Sequence, residues 1–171
     1  MGDNFNTPAA EESTDTWLTP EHIFKPLGKF DFDPCCPPEM PWRTAESMYY
    51  WREGQLSGLD LMWKGRVWLN PPYGRETFKW LDKLSRHAPG GIGLIFARTD
   101  TRGFHETIFE RAHSIYFFRG RINFWRKVGG LWVAGGAGNA ASCLVAYTEA
   151  DSKIISAAND DGFIIGRQVF L

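Results

Sequence analysis

Residues 67–74 read Val-Trp-Leu-Asn-Pro-Pro-Tyr-Gly. An apolar run ends in a side-chain amide, two consecutive prolines and an aromatic ring. Pro71 and Pro72 fix φ and carry no N–H, so the backbone there is stiff and its carbonyls are free to accept. Asn70 adds a side-chain carbonyl beside them, and Tyr73 adds a flat face. Acceptors in one plane next to a ring suit an exocyclic amino group on a planar base. The lone pair of such a nitrogen is delocalised into its ring. Two acceptors gripping its N–H bonds draw it toward tetrahedral geometry and localise that pair. The nitrogen can then attack a methyl carbon in line without a strong general base, because positioning and electrostatics supply the catalysis. The bland alternative is a strand that ends in a polyproline turn with a tyrosine packed over it.

The surrounding chain must place these four residues where a ligand can reach them. Residues 29–34, Lys-Phe-Asp-Phe-Asp-Pro, alternate and stop at a proline, which predicts a short strand running into a turn. Residues 37–63 show no clean period and read as loop. Residues 66–69 form a second strand, and 76–87 a helix with Phe78, Leu81 and Leu84 at helical spacing. Residues 92–97 are short, apolar and bounded by glycine, as expected of a central strand covered on both faces. A helix is expected over 102–112 and a strand over 114–118, which residues 121–125 extend or pair with. Residues 127–141 hold five glycines and read as a mobile loop. A buried strand is expected over 142–147 and a last strand over 162–171. Strands alternating with helices imply an α/β fold with a mostly parallel sheet and an antiparallel C-terminal edge. Asn70 to Tyr73 then fall at the carboxyl end of a strand, where open parallel sheets bind ligands.

Length and composition frame this reading. The 171 residues suffice for one domain with a core, and 43% hydrophobic with 23% charged residues is a globular balance. The first 14 residues are polar and acidic, so a disordered leader is expected there and a single domain over 15–171. No basic start with an apolar core marks a secretory signal, and no apolar stretch approaches the ~18 residues of a membrane span, so a cytosolic protein is expected. Cys35, Cys36 and Cys143 have no zinc-site spacing and read as reduced thiols, with no metal expected. Net charge is −1, yet residues 98–127 hold seven Lys/Arg against three Asp/Glu. Within that stretch Arg119, Arg121, Arg126 and Lys127 interleave with Phe117, Phe118, Phe124 and Trp125, a mixture that suits nucleic acid. The plain alternative is an amphipathic strand with its aromatics in the core. Arg98 and Arg102, near the end of the central strand, are candidate phosphate contacts or partners for Asp100.

In order along the chain, the pieces DTWLTPEHIF, FDFDPCCPP, GLDLMW, GRVWLNPPYGR, ARTDT and GRINF resemble the phage-type DNA N6-adenine methyltransferases, enzymes of phages and prophages. The resemblance covers roughly residues 15–148. It implies a Rossmann-like methyltransferase fold in three αβα layers, S-adenosylmethionine as cofactor and adenine N6 in double-stranded DNA as target. Relatives acting on cytosine N4 usually carry serine where Asn70 stands, so asparagine favours adenine. By the same resemblance Asn70, Pro71, Pro72 and Tyr73 are catalytic. Asn70 and the Pro71 carbonyl would hold the amino group and Tyr73 would stack on the base. Asp33, Pro34 and Cys35 correspond to a cofactor motif in which Asp33 pairs with the methionine amino group. Trp17, Thr19 and Pro20 correspond to a segment that wraps the methionine end. The chain departs from the family in lacking the glycine-rich turn after the first strand, where Pro-Cys-Cys-Pro stands instead. It also has Leu56 and Ser57 where many relatives are acidic, which leaves Glu53 and Asp60 as candidates for the cofactor's ribose or adenine. The rival readings are methylation of an RNA base or a protein glutamine nitrogen, and a DNA-binding relative without catalysis.

Overall fold

A computed structural model describes residues 17–171 except Trp51, Glu53, Gly138 and Asn139. The expected leader and the candidate Glu53 therefore lie outside the described residues.

Seven strands form one sheet: β1 (Phe32–Asp33), β2 (Ser47–Met48), β3 (Val67–Leu69), β4 (Gly91–Phe96), β5 (Ser114–Phe118), β8 (Ser142–Ala146) and β9 (Gly166–Phe170). Their spatial order is β2-β1-β3-β4-β8-β5-β9. The pairs β2–β1, β1–β3 and β3–β4 are parallel, and β4–β8, β8–β5 and β5–β9 are antiparallel. The antiparallel part expected at the C-terminal end is thus one interior strand, β8, wedged between β4 and β5, and one edge strand, β9. Of the two runs read as buried, 92–97 is buried from Ile92 to Ile95 and 142–147 from Ser142 to Ala146; Val67–Leu69 is buried throughout as well.

Alternation along the central strands divides the core in two. Trp68, Ile92, Leu94, Tyr116 and Leu144 point to one face, where α1 (Glu21–Phe24) and α4 (Glu149–Asp160) supply Ile23, Phe24, Ile155 and Ala158. Val67, Leu69, Ile95, Ile115 and Val145 point to the other, where α2 (Thr77–Ser85) brings Trp80, Leu81 and Leu84. The helix expected over 102–112 begins as α3 (Arg102–Phe104). It then widens into a π turn over His105–Phe109, with Glu110 N donating to the His105 carbonyl at 3.1 Å. Helix α4 was not anticipated. Its start carries a sequence cue: Thr148 caps it by accepting from Asp151 N at 3.1 Å.

Two expectations are overturned between β5 and β8. Residues 121–125 neither extend nor pair with β5, and the glycine-rich stretch is not a loop. Instead β6 (Asn123–Val128) pairs antiparallel with β7 (Leu131–Ala137) as a separate hairpin. Gly129 and Gly130, with φ of 56° and 82°, make its turn, the backbone shape that a two-residue hairpin requires and glycine adopts freely. The strand needs a partner, and β5 has none to offer because β8 and β9 already flank it.

At the amino edge of the sheet Arg66 is the tie. Its Nε donates to Asp151 Oδ1 at 2.6 Å, and Nη1 donates to the Leu27 and Lys29 carbonyls at 2.7 and 3.0 Å. Asp151 also accepts from Gly91 N at 2.8 Å, so one carboxylate joins α4, β4 and the start of β3. Removing one member of a buried pair leaves the other uncompensated. Asp151→Ala is expected to lower unfolding free energy by about 3 kcal/mol, read as a drop in the urea midpoint at unchanged slope.

Candidate active site

The site forms where the strand order reverses. From β1 the chain moves outward to β2, and β3 then returns to the opposite side of β1. A crevice opens beyond the carboxyl ends of strands at such a switch point. Asp33 ends β1, and Asn70 directly follows the last residue of β3. The two line one cavity of about 260 Å³ with Trp17, Thr19, Cys35, Pro71, Pro72 and Tyr73. Of the residues singled out in the sequence, these eight converge.

Asn70 is held on several sides. Its Nδ2 donates to the Trp17 carbonyl at 3.2 Å and to Thr19 Oγ1 at 3.3 Å. Its Oδ1 accepts from the Tyr73 hydroxyl at 3.3 Å, and its backbone carbonyl accepts from the Cys35 thiol at 3.3 Å. Burial keeps that thiol well above its ordinary pKa, and the nearby Asp33 carboxylate adds to the effect, so it remains a donor at neutral pH. Thr77 pins the rest of the loop: its hydroxyl donates to the Pro72 carbonyl at 2.9 Å and accepts from Gly74 N at 3.0 Å. The Tyr73 ring stacks on Phe96 with centroids 4.1 Å apart and planes 13° from parallel. Burial, with smaller contributions from Cys143 and Cys35, raises the Tyr73 phenol pKa, so the hydroxyl is neutral.

Among the described residues Asp33 is the one carboxylate in the cavity wall, and it is only 3% exposed. It accepts from Cys35 N at 3.1 Å and from the Thr44 hydroxyl. Burial pushes its carboxyl up to about 6, against the lowering effect of those two bonds. Thr44, Met40 and Trp68 also line the cavity, although nothing in their spacing marked them. Gly58 explains part of the Gly-Leu piece: a side chain there would meet the Pro34 carbonyl at 1.9 Å, so only glycine lets this loop lie against the end of β1.

The hairpin adjoins the same site. Leu18 and Trp125 exchange backbone hydrogen bonds at 2.8 and 2.9 Å, and Trp17 meets Phe124 edge-on at 6.4 Å. Trp125 packs on Trp42 at 5.3 Å. Lys127 pairs with Glu39, and Trp132 Nε1 donates to the Glu39 carbonyl at 2.8 Å. The aromatics of this basic stretch are therefore packing residues, with Phe124 fully in the core.

Other candidates lie elsewhere. Pro20 and Pro34 are buried outside the cavity wall. Asp60 is exposed, accepts from Ser57 N at 3.2 Å and borders a different groove beside α2. Asp31, which the strand alternation puts on the same face as Asp33 but which is not a site candidate, lies on the sheet's amino edge and accepts from Arg66 N at 2.6 Å. Arg102 pairs with Glu106 at 2.6 Å rather than with Asp100. Arg119 and Arg121 are exposed between β5 and β6, and Arg126 is half-buried on β6. Arg98 and Arg75 rim a second pocket of about 510 Å³, floored by Phe78, Ile95 and Phe96, on the flank of Tyr73. Among the described residues there is no cluster of three potential metal ligands and no helix long and apolar enough to cross a membrane.

A family model described as DNA N-6-adenine-methyltransferase (Dam) matches residues 6–166. The chain belongs to that family. The family's description indicates a DNA adenine methyltransferase, and DNA as the substrate. No curated protein and no solved structure matches the chain.

The buried carboxylate of this Dam-family chain carries a pH signature. The folded pKa of Asp33, about 6, lies above its ordinary 3.8. The ionised form is therefore the disfavoured one in the folded state. Stability linked to Asp33 is fully present below pH 3.8 and is lost as pH rises through 6. At 1.36 kcal/mol per unit the loss is about 3 kcal/mol. Asp33→Asn is expected to flatten this slope and to be the more stable protein at pH 8, in unfolding curves taken from pH 4 to 8.

Proposed function

We propose that this Dam-family protein transfers a methyl group from S-adenosylmethionine to the N6 amino group of adenine in double-stranded DNA, with the base turned out of the helix. The observation that carries the reading is the convergence of the Asn70 Oδ1 acceptor and the Asp33 carboxylate on one cavity at the switch point. The donor set suits the cofactor. A buried carboxylate with raised pKa stands ready for a cationic amino group, while Trp17, Trp68 and Met40 give apolar wall. When bound, that cofactor supplies an electrophilic methyl carbon on a sulfonium.

The chain's own residues then do the rest. A stacked base cannot reach Asn70, so the nucleotide must leave the duplex. Asn70 Oδ1 has two lone pairs, one of which takes the Tyr73 hydroxyl, and the other can accept an N–H of the incoming amine. The Pro71 carbonyl accepts the second N–H, on a backbone stiffened by two prolines and by Thr77. Phe96 backs one face of Tyr73, leaving the opposite face for the base. Asn70 Oδ1 and the Pro71 carbonyl would hold the amine with its lone pair turned toward the bound cofactor, which would supply the methyl group as its C–S bond breaks, and the surplus proton would leave to water. Alkylation makes that nitrogen acidic, so no strong base is required.

Purified protein incubated with tritiated S-adenosylmethionine and unmethylated duplex DNA is expected to place label in N6-methyladenine. No label in DNA of any sequence, or label in RNA or protein glutamine instead, would overturn the reading. Asn70→Ala is expected to lose methyl transfer by roughly 100-fold or more while remaining folded by circular dichroism. Arg98, exposed at the rim of the second pocket, is a proposed phosphate contact. Arg98→Gln should weaken DNA binding and reduce its salt slope by about one, without changing affinity for S-adenosylhomocysteine.

A further inference from the structure

A side-chain amide can present either end to a pocket, and the two ends have opposite chemistry: the oxygen accepts, the nitrogen donates. Catalysis as proposed needs Asn70 oxygen-inward. A flipped amide would point its own N–H bonds at those of the substrate amine, donor against donor. What sets the orientation lies outside the Asn-Pro-Pro-Tyr loop. Asn70 Nδ2 is 3.2 Å from the Trp17 carbonyl, which can only accept, so the nitrogen must face Trp17 and the oxygen must face the opposite way. Thr19 Oγ1 takes a second Nδ2 contact at 3.3 Å, and Thr19 is 2% exposed. With Oδ1 toward the Tyr73 hydroxyl, the amide is engaged at both ends.

We infer that Thr19, acting with the Trp17 backbone carbonyl, is a positioning residue for Asn70 that locks its amide with the acceptor turned to the substrate amine. The inference rests on the methyl-transfer reading for its consequence, while the contact itself does not. Two effects follow. The lock excludes the donor-inward rotamer, and drawing both N–H bonds outward raises electron density on Oδ1 through the conjugated amide, which strengthens its grip. The pocket thereby selects substrates that donate at this point. An amino group fits, and a keto oxygen at the same ring position meets an acceptor. The segment containing Thr19 would thus serve the reacting amine and not only the cofactor.

Thr19→Val keeps the side chain's size and removes its hydroxyl, and Thr19→Ser keeps the hydroxyl. Three measurements apply: single-turnover methyl transfer at saturating cofactor, calorimetric affinity for S-adenosylhomocysteine, and the Asn70 side-chain amide signals in ¹H–¹⁵N spectra, assigned by their loss in Asn70→Ala. The expected result for Thr19→Val is a roughly 10- to 100-fold slower transfer, analogue affinity within about twofold of wild type, and shifted Asn70 amide signals, with Thr19→Ser restoring most of the rate. A normal rate at saturating cofactor with weakened analogue binding would make Thr19 a cofactor ligand and overturn the inference. So would unmoved Asn70 signals. If the wild-type protein transfers no methyl group to DNA, the functional reading fails, and the amide signals still decide whether Thr19 holds Asn70. Should the valine variant not fold, Thr19→Ala is read the same way.

Discussion

The Asn70 side-chain amide joins two stretches of chain 51 and 53 residues apart, and the architecture of the site follows from that junction. Its nitrogen binds Trp17 and Thr19, and Leu18 between them bridges to Trp125 of the hairpin. The hairpin in turn rests on Trp42 and Glu39, which belong to the loop that follows Asp33. The contacts thus run in a ring from the end of β3, through the N-terminal segment and the hairpin, back to the end of β1. The cavity wall comes from three parts of this ring, the N-terminal segment, the loop after β1 and the end of β3, while the hairpin supplies no wall and braces the first two through Leu18, Trp42 and Glu39.

The Arg66–Asp151 tie and the candidate site lie on opposite edges of the sheet. At the amino edge Arg66 and Asp151 pair with each other and hydrogen-bond the neighbouring backbone. At the carboxyl edge Asp33 is buried with hydroxyl and amide donors but no cation among the causes acting on its pKa. A carboxylate left this way costs the apoprotein free energy, and a cationic ligand group would offset it. The short β1 and the proline after it keep Asp33 at the strand end, facing the crevice.

Much of this could be read from the sequence where a residue type has one local use. Asn-Pro-Pro-Tyr after an apolar run, the helix over Thr77–Ser85 and the apolar strand Gly91–Phe96 are fixed by periodicity and by proline stiffness, and the structure places them accordingly. The hairpin was not legible because Leu-Trp-Val-Ala-Gly-Gly-Ala lacks alternation and its glycines outweigh its strand formers. The Gly129-Gly130 pair was the cue, since adjacent glycines suit a tight hairpin turn. The capped start of α4 was likewise present in Thr148 and Asp151 but masked by a polar helix surface. Asp60 illustrates the opposite limit. Its proximity to a motif in the chain gave no information about where its loop would turn, and that loop is directed by Gly58 against Pro34 and by Trp63 Nε1 donating to the Gly58 carbonyl at 2.8 Å.

The basic stretch shows how pairing thins a charge pattern. Of the seven cations between residues 98 and 127, Arg102, Arg111 and Lys127 are each engaged by an acidic side chain, Glu106, Asp82 and Glu39. Lys127 is spent holding the hairpin to the loop after β1, so neutralising it would open the ring before it weakened any phosphate contact. Beside Tyr73, Arg98 from this stretch and Arg75 from outside it stand around an apolar floor. On the proposed reading, backbone attraction is therefore modest and concentrated at one rim, and the energy that holds DNA in place must come largely from the captured base. Capture in turn requires Asn70 to face inward, which returns the burden to the N-terminal segment that orients it.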